Sequence, residues 1–227
     1  MGIAQWSRSG VGVNLVAVAL AGMLVCVPAC NIVGPVVMLA QGPPTIDAQF
    51  ELPEGKSLIF FIDDRGNSLP RRNLRQAIAE RAQMTLLAEQ PKRRVIDARA
   101  GMAVAARETA SEPTDLVTLG RAVQADLVIY VTIDSFGLSP DGINYLPSST
   151  MRIKVLDTTK DTDPRLWPAE TEGFPHSVFP SQRAGVMPTS ASERAKSELA
   201  FAGMIGESIA KVFFKHETRE PINASGK

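Results

Sequence analysis

The sequence predicts a mixed α/β (α+β) domain, in which a sheet of about four to five strands carries packed helices in a three-layer-like arrangement. Three observations predict this class. Ser57–Asp63 is a short continuous apolar run, Thr150–Asp157 alternates apolar and polar side chains, and other segments repeat apolar residues at helical spacing. In chain order the predicted elements are β-α-β-α-β-β-β-α.

The first strand and the first helix come early in this domain. An apolar run such as Ser57–Asp63 is typical of a strand buried on both faces, and Asp64–Asn67 is a turn signal. Pro70 stands where a first helical residue is favoured. The helix should end before Pro91, because a residue preceding proline is pushed out of the α region. Its apolar positions are Leu74, Ile78, Ala82 and Leu86.

Leu116–Phe136 is the predicted centre of the fold, because a helix leads there into a strand. Its first half spaces Leu116, Leu119 and Val123 along one helical face, and its second half has the β-branched and aromatic composition of a central strand. Before it, Arg94–Asp97 predicts a brief second strand and Ala98–Ala110 an alanine-rich helix. Glu112–Asp115 then marks the start of a new helix.

Three further strands follow. The alternation in Thr150–Asp157 predicts a half-exposed strand that is antiparallel to the preceding one. Arg165–Trp167 extends this meander, and Gly173–Phe179 predicts an edge strand that Pro175 interrupts.

The longest helix closes the domain. Ser190 and Glu193 have capping-box spacing and open it, while Gly203 and Gly206 predict a close approach to a neighbouring backbone. Its predicted buried face contains Ala195, Leu199, Ala202, Gly206, Ile209 and Phe213.

Residues 1–29 have the layout of a secretory signal peptide. Arg8 precedes an apolar block, residues 11–29, that ends in small residues next to Cys30. The block is also long enough for a transmembrane helix, so a retained membrane anchor stays open as the alternative.

Val27-Pro28-Ala29-Cys30 resembles the lipobox of bacterial lipoproteins, which implies acyl chains on Cys30 and cleavage just before it. Cys26 follows the bulky Val25 and is a poorer candidate. The sequence therefore predicts a signal peptide at 1–29, a lipidated tether at 30–54, the domain at 55–216 and a disordered tail at 217–227. Cleavage would leave no second cysteine, so we expect no internal disulfide.

The net charge and the residue after Cys30 indicate which partners and which membrane to expect. The chain carries 24 basic and 24 acidic side chains, so it lacks the excess positive charge that supports non-specific nucleic-acid binding, and we expect no nucleic-acid partner. Asn31 rather than aspartate follows the lipobox cysteine, and the resemblance then favours the outer membrane, with the domain facing the periplasm.

Asp63 and Asp64, next to Arg65, are the best candidates for a chemical site, because crevices form at the carboxyl ends of strands in α/β sheets. Two carboxylates could perform acid–base chemistry if burial separated their pKa values. Adjacent strand residues point to opposite faces, however, so a turn held by Asp and Arg is favoured over catalysis.

Weaker candidates have simpler explanations. Ser208 and Lys211 form the chain's Ser-x-x-Lys, but late in an amphipathic helix. His176 and His216 are far apart and have no partner at metal-ligand spacing. We expect no catalytic residue, no cofactor and no metal. A solvated turn explains Asp157, Asp161 and Asp163 better than a calcium loop does, and a solvated helix face explains Arg71, Arg72 and Arg75 better than a phosphate or lipid site does.

The pattern over residues 55–215 resembles a family of envelope lipoprotein domains. The family includes the curli-secretion pore subunit, the penicillin-binding-protein activators and the amino-terminal domain of the Tol-system β-propeller protein. The residues that carry the resemblance are Asp63-Asp64, Leu74, Ile78, Leu119–Tyr130, Arg152–Asp157 and Leu166-Trp167. The resemblance implies the fold more specifically than the function.

Three functions are compatible with these residues. The leading hypothesis is a non-enzymatic, membrane-anchored periplasmic lipoprotein that binds or helps assemble another envelope component. The alternatives are a subunit of an outer-membrane secretion complex and a hydrolase that uses Asp63 or Asp64. A homo-oligomer through the edge strand near Phe174–Phe179 is also possible.

Overall fold

A five-stranded mixed sheet lies at the centre of the structure, which is a computed structural model that describes residues 44–106, 115–180 and 185–217. These residues contain nine strands: β1 (Thr45–Ile46), β2 (Leu58–Asp63), β3 (Leu127–Gly137), β4 (Asn144–Tyr145), β5 (Ser148–Asp157), β6 (Arg165–Trp167), β7 (Phe174–Val178), β8 (Gly185–Val186) and β9 (His216–Glu217). The central sheet has the order β2-β3-β5-β6. Strand β7 also pairs with β5, but along the first part of β5, whereas β6 pairs with its last part. Residues 47–216 form one compact unit.

Four helices are described: α1 (Asn73–Glu89), α2 (Ala98–Ala105), α3 (Leu116–Ala122) and α4 (Ala191–Lys211). Helices α1 and α4 pack on one another and on one face of the sheet, while α2 and α3 pack on the other face. The predicted fold class, a mixed sheet with helices packed on it, is therefore confirmed. In the described ranges no helix is both long enough and apolar enough to cross a membrane.

Strand β2, at one end of the sheet, is parallel to β3, and β2 and the first residues of β3 are both buried. Leu58 lies opposite Leu127 and Asp63 lies opposite Thr132, so every residue of β2 has a partner in β3. All six residues of β2 are buried, as the continuous apolar run predicts. Strand β5 then returns antiparallel to β3, which is also as predicted.

The core lies mainly between the sheet and the α1–α4 pair. Phe60, Ile129 and Ile153 face this side and meet Ile78 and Phe201 from the two helices. A smaller cluster on the opposite face joins Ile59, Phe61 and Val128 to Leu119 and Ala125.

The helices α2 and α3 cover β2, the first residues of β3 and the end of β5. The side chains that continue this face are half-buried or exposed and mostly polar. We call this surface the open face; it consists of Thr132, Asp134, Arg152, Lys154 and Arg165.

Helix α4 confirms the predicted cap and corrects the predicted buried face. Ser190 and Glu193 form a complete capping box. Of the predicted positions, Ala202, Gly206, Ile209 and Phe213 are buried, whereas Leu199 is exposed. The buried stripe is broader than predicted and also includes Glu198, Phe201 and Ile205. The helix has to fill the core beneath the sheet and also contact α1, and that broader contact sets which residues are buried.

Other element boundaries differ locally from the predictions. Helix α1 begins at Asn73, three residues after Pro70, although its buried positions are those predicted. Arg94–Asp97 contributes only a single parallel bridge, between Val95 and Leu58. The predicted helix after Ala98 ends at Ala105, and residues 107–114 lie outside the described ranges. So do residues 1–43, with Cys30 and the predicted leader, and the tail from residue 218.

Gly206 confirms the predicted close approach of helices, whereas Gly203 does not. A Cβ at position 206 would lie 2.3 Å from the carbonyl oxygen of Ile78 in α1, while nothing lies within 4 Å of a Cβ at position 203. The α1–α4 contact therefore depends on one glycine.

We predict that Gly206→Ala lowers the free energy of unfolding by about 1–3 kcal/mol, because the methyl group would force two helix backbones apart. Gly203→Ala is the matched control, and we expect it to leave stability unchanged or raise it by up to about 1 kcal/mol through helix propensity. Urea unfolding of the two variants measures the difference. Equal effects of the two substitutions would contradict the close approach.

Candidate functional site

Asp63 is buried at the carboxyl end of β2, where the sequence places the best candidate site. Its Oδ2 accepts a hydrogen bond of 2.5 Å from the hydroxyl of Tyr130 in β3. The Nε of Arg65 lies 2.8 Å from the same oxygen. Asp63 is therefore already paired with a cation and with a phenol.

Asp64 has a different role, which is to stabilise the turn. Its carboxylate accepts hydrogen bonds from the backbone N–H of Ser68 at 2.7 Å and of Leu69 at 3.1 Å, and so closes the turn after β2. The sequence favours a turn held by Asp and Arg at this point, and these contacts agree with it. The two carboxylates do not form a joint acid–base pair.

Tyr130 is a residue of this site that the sequence reasoning did not identify. Its ring stacks on Phe61 with centroids 6.2 Å apart. Burial raises the pKa of Tyr130, and the hydrogen bond to Asp63 raises that pKa further. The phenol therefore stays protonated at neutral pH and serves as a donor. The parallel register of β2 and β3 places it there, and register was not readable from the sequence.

Beyond Asp63 the open face carries a network around Arg152. Its guanidinium lies 2.6 Å from Asp134 Oδ1 and 2.8 Å from Glu172 Oε2. One arginine thus contacts two carboxylates, of which Glu172 is largely exposed to solvent.

Lys154 and Arg165 are the other cations of the open face. The stem of Lys154 passes over Gly173, whose positive φ of 99° is readily adopted by glycine; a Cβ there would lie 3.1 Å from Lys154 Cε. Burial lowers the pKa of Lys154, and the nearby charge of Arg165 lowers it further. Neither residue forms a salt bridge within residues 44–106, 115–180 and 185–217.

The structure joins His176 to Ser208, a contact that the sequence did not predict. His176 Nε2 on the edge strand β7 lies 2.8 Å from Ser208 Oγ on α4. Burial lowers the pKa of His176. Lys211, the partner that a Ser-x-x-Lys motif would require, instead bonds Glu207 at 2.7 Å. The serine–histidine contact ties the edge strand to the helix.

Two of the three aspartates at positions 157, 161 and 163, which the sequence interprets as a solvated turn, form ion pairs. Lys56 Nζ lies 2.5 Å from Asp157, and Arg121 lies 2.8 Å from Asp161. Asp163 occupies a turn position with φ of 49°. Across the part of the chain that the structure describes, no three histidine, cysteine or acidic side chains are grouped as metal ligands.

Among the arginines before and along α1, which the sequence interprets as a solvated face, Arg71 is exposed but also forms an ion pair. Arg71 Nε lies 2.8 Å from Glu198, a buried carboxylate on α4. A buried acid requires a counter-charge, and Arg71 supplies it, whereas Arg72 is exposed and Arg75 is half-buried.

Comparisons with known proteins give distant likenesses only. No family model and no curated protein matches the chain. Among solved structures, a PelC dodecamer variant from Paraburkholderia phytofirmans is 13% identical, with 74% of this chain and 93% of that chain covered and a TM-score of 0.40. Lipoprotein GNA1162 from Neisseria meningitidis is 12% identical, with 67% and 98% covered and a TM-score of 0.38. Hypothetical protein CT253 from Chlamydia trachomatis is 15% identical, with 69% and 91% covered and a TM-score of 0.40. At these values the likenesses carry no argument about this chain, and the resemblance described for residues 55–215 stays a prediction.

We predict that the protein loses stability as the pH falls below about 6.5, the ordinary pKa of an unfolded histidine, with a slope of up to about 1.4 kcal/mol per pH unit. The pKa of His176 is lower in the folded chain than in the unfolded chain, so its contribution is fully present above the unfolded pKa and is lost on protonation. His176→Gln should remove this slope, whereas His216→Gln should retain it.

Urea unfolding at several pH values measures the two slopes. The carboxylates whose pKa is lowered in the folded state, such as Asp126 and Asp157, titrate in a more acidic window and do not interfere. Identical slopes in the wild type and in His176→Gln would contradict the role of the buried imidazole.

Proposed function

We propose that this protein is a non-enzymatic binding or assembly module of the bacterial cell envelope, anchored by acyl chains on Cys30 and facing the periplasm from the outer membrane. The observation that carries the proposal is the difference between the two ends of the domain. The chain is fastened at one end, and exposed apolar side chains protrude at the other.

The end where the chain is fastened lies near the start of β3, and we call it the proximal end. The backbone N–H of Gln49 donates to the carbonyl of Val212 at 2.8 Å, and Phe50 stacks on Trp167 with centroids 5.6 Å apart. Arg93 donates to the carbonyls of Leu52 and Pro53 at 3.2 and 3.0 Å. A tether ending near residue 54 would therefore be held firmly where it joins the domain.

The opposite end lies beyond the β3–β5 turn, and we call it the distal tip, consisting of Ile143, Phe179 and Val186. These side chains are 75%, 65% and 91% exposed. The small β4–β8 pair carries the tip, and Asp141 shapes its turn by accepting from the N–H groups of Ile143 and Asn144. Apolar side chains held outward by an ordered turn suit a contact with a partner.

The two ends are well separated. Strand β5 begins at Ser148 beside the distal tip and reaches Asp157 near the proximal end, a span of about 30 Å at the usual rise per residue. A tethered domain could thus remain fastened at one end while the other meets a second envelope component.

The hydrolase alternative finds little support in the geometry. Asp63 is paired with Arg65 and Tyr130, and Asp64 is occupied by two backbone N–H groups. General acid–base work requires a carboxylate within reach of a substrate proton. The binding role is therefore the better proposal, and self-association along β7 stays a prediction.

We predict that the wild-type chain extracted in detergent begins at Cys30 and carries acyl chains, because the lipobox directs both cleavage and acylation. Cys30→Ala should be neither cleaved nor acylated. Cys26→Ala, the matched control, should be cleaved and acylated like the wild type. Native mass spectrometry measures chain mass and subunit number together. An uncleaved, unacylated wild-type chain would make residues 11–29 a transmembrane anchor, and a large closed ring would favour the secretion-complex alternative.

We predict that a photoreactive amino acid in place of Ile143 or Val186 crosslinks to one discrete partner in intact envelopes, because these side chains protrude from the distal tip. Met84 on α1 is the matched control, since it is also apolar and exposed but lies away from the tip. Gel analysis of the crosslinked chain gives the result. Equal crosslinking from positions 84 and 143 would contradict a partner surface at the tip.

A further inference from the structure

Two cations on the open face, Lys154 and Arg165, form no salt bridge among the described residues, although burial lowers the pKa of Lys154 and the charge of Glu172 acts on it in the opposite direction. The carboxylates near them are engaged, since Asp134 and Glu172 bind Arg152 and Asp63 binds Arg65. Both cations therefore remain without a carboxylate in salt-bridge contact within residues 44–106, 115–180 and 185–217.

The two cations are neighbours. Arg165 pairs with Leu156 across the β5–β6 ladder, and Lys154 precedes Leu156 by two residues on the same face. Such diagonal positions are about 7–8 Å apart, within reach of long side chains. A single small anion could therefore contact both.

Both side chains are partly removed from water. Lys154 and Arg165 are half-buried, and Arg165 Nε is buried with no hydrogen-bond acceptor among the described residues. A buried donor without an acceptor and two adjacent like charges are each unfavourable. The lowered pKa of Lys154, which burial and then the charge of Arg165 cause, agrees with this.

We propose that Lys154 and Arg165 form a binding site for a phosphate monoester on the open face of the sheet. A phosphate monoester carries about 1.5 to 2 negative charges at neutral pH, so it could act as the charge partner that neither cation has in a salt bridge among the described residues. It offers three acceptor oxygens, and a guanidinium and an ammonium are the side chains that usually bind them.

The group could be soluble or could belong to a lipid headgroup, and the chemistry of recognition is the same in both cases. The site deepens the proposed binding role by naming a ligand class, and it rests on that role only for the location of the domain. The anchor and the site can fail separately, because phosphate binding does not require acylation of Cys30.

The test is a titration of the full-length chain, labelled with ¹⁵N in its arginines and held in detergent micelles, with inorganic phosphate in a phosphate-free buffer. We expect the Nε–H resonance of Arg165 to shift and to saturate. Lys154→Gln should weaken binding by about tenfold or more, since charged hydrogen bonds are lost. Lys196→Gln removes the same charge from exposed α4 on the opposite side of the sheet and should bind like the wild type.

A second variant, Arg165→Gln, with binding measured by calorimetry, keeps the test decisive if Lys154→Gln does not fold. No saturable shift, or equal weakening by Lys154→Gln and Lys196→Gln, would overturn the site. Repeating the titration with Cys30→Ala tests the phosphate site independently of the lipid anchor, because the site should bind phosphate with or without acylation.

Lipids added to the micelles distinguish the two sources of the phosphate. A shift of the Arg165 Nε–H resonance when phosphatidic acid, but not phosphatidylcholine, is added to the micelles would indicate a lipid-borne group. Binding of inorganic phosphate without a response to phosphatidic acid would indicate a soluble ligand. Either result supports the site, provided that Lys154→Gln abolishes it and Lys196→Gln does not.

Discussion

The burial of β2 and of the first residues of β3 on both faces is the constraint on which the rest of the structure depends. All of β2 is buried, and its apolar side chains point alternately to the two sides of the sheet. Each side must then be covered, because exposed apolar surface of this extent is unfavourable in water. The α1–α4 pair covers one side along its full length, whereas α2 and α3 cover the other side only as far as the apolar residues continue.

The open face is a consequence of where that second layer ends. After Val128 and Tyr130, the outward positions of β3 become polar, so no further helix is needed there. Strand β5 then adds alternating polar residues to the same face, with Met151, Ile153 and Val155 turned to the main core. Strand β5 also runs from the distal tip to the proximal end. The antiparallel pairing of β5 with β3 therefore extends the open face and sets the distance between the two ends.

Periodicity predicted the main helices and the longer strands but not their contacts, and it missed the two-residue strands β1, β4, β8 and β9. The continuous run in β2, the alternation in β5 and the capping box of α4 each report a local property, and each prediction is confirmed. The pairs Tyr130–Asp63 and His176–Ser208 join residues that are 67 and 32 positions apart. Such pairs depend on strand register and helix rotation, which tertiary packing sets. The error at Leu199 has the same origin.

The distribution of charge on the open face distinguishes stability from binding. Each carboxylate of this surface contacts an arginine, which suffices to explain those acids as structural. Lys154 and Arg165 instead bring two cations together where burial already disfavours charge. Natural proteins tolerate such local costs mainly where function requires them. An ion-pair network that satisfies its acids and leaves two cations available therefore favours an anionic ligand over a purely structural role.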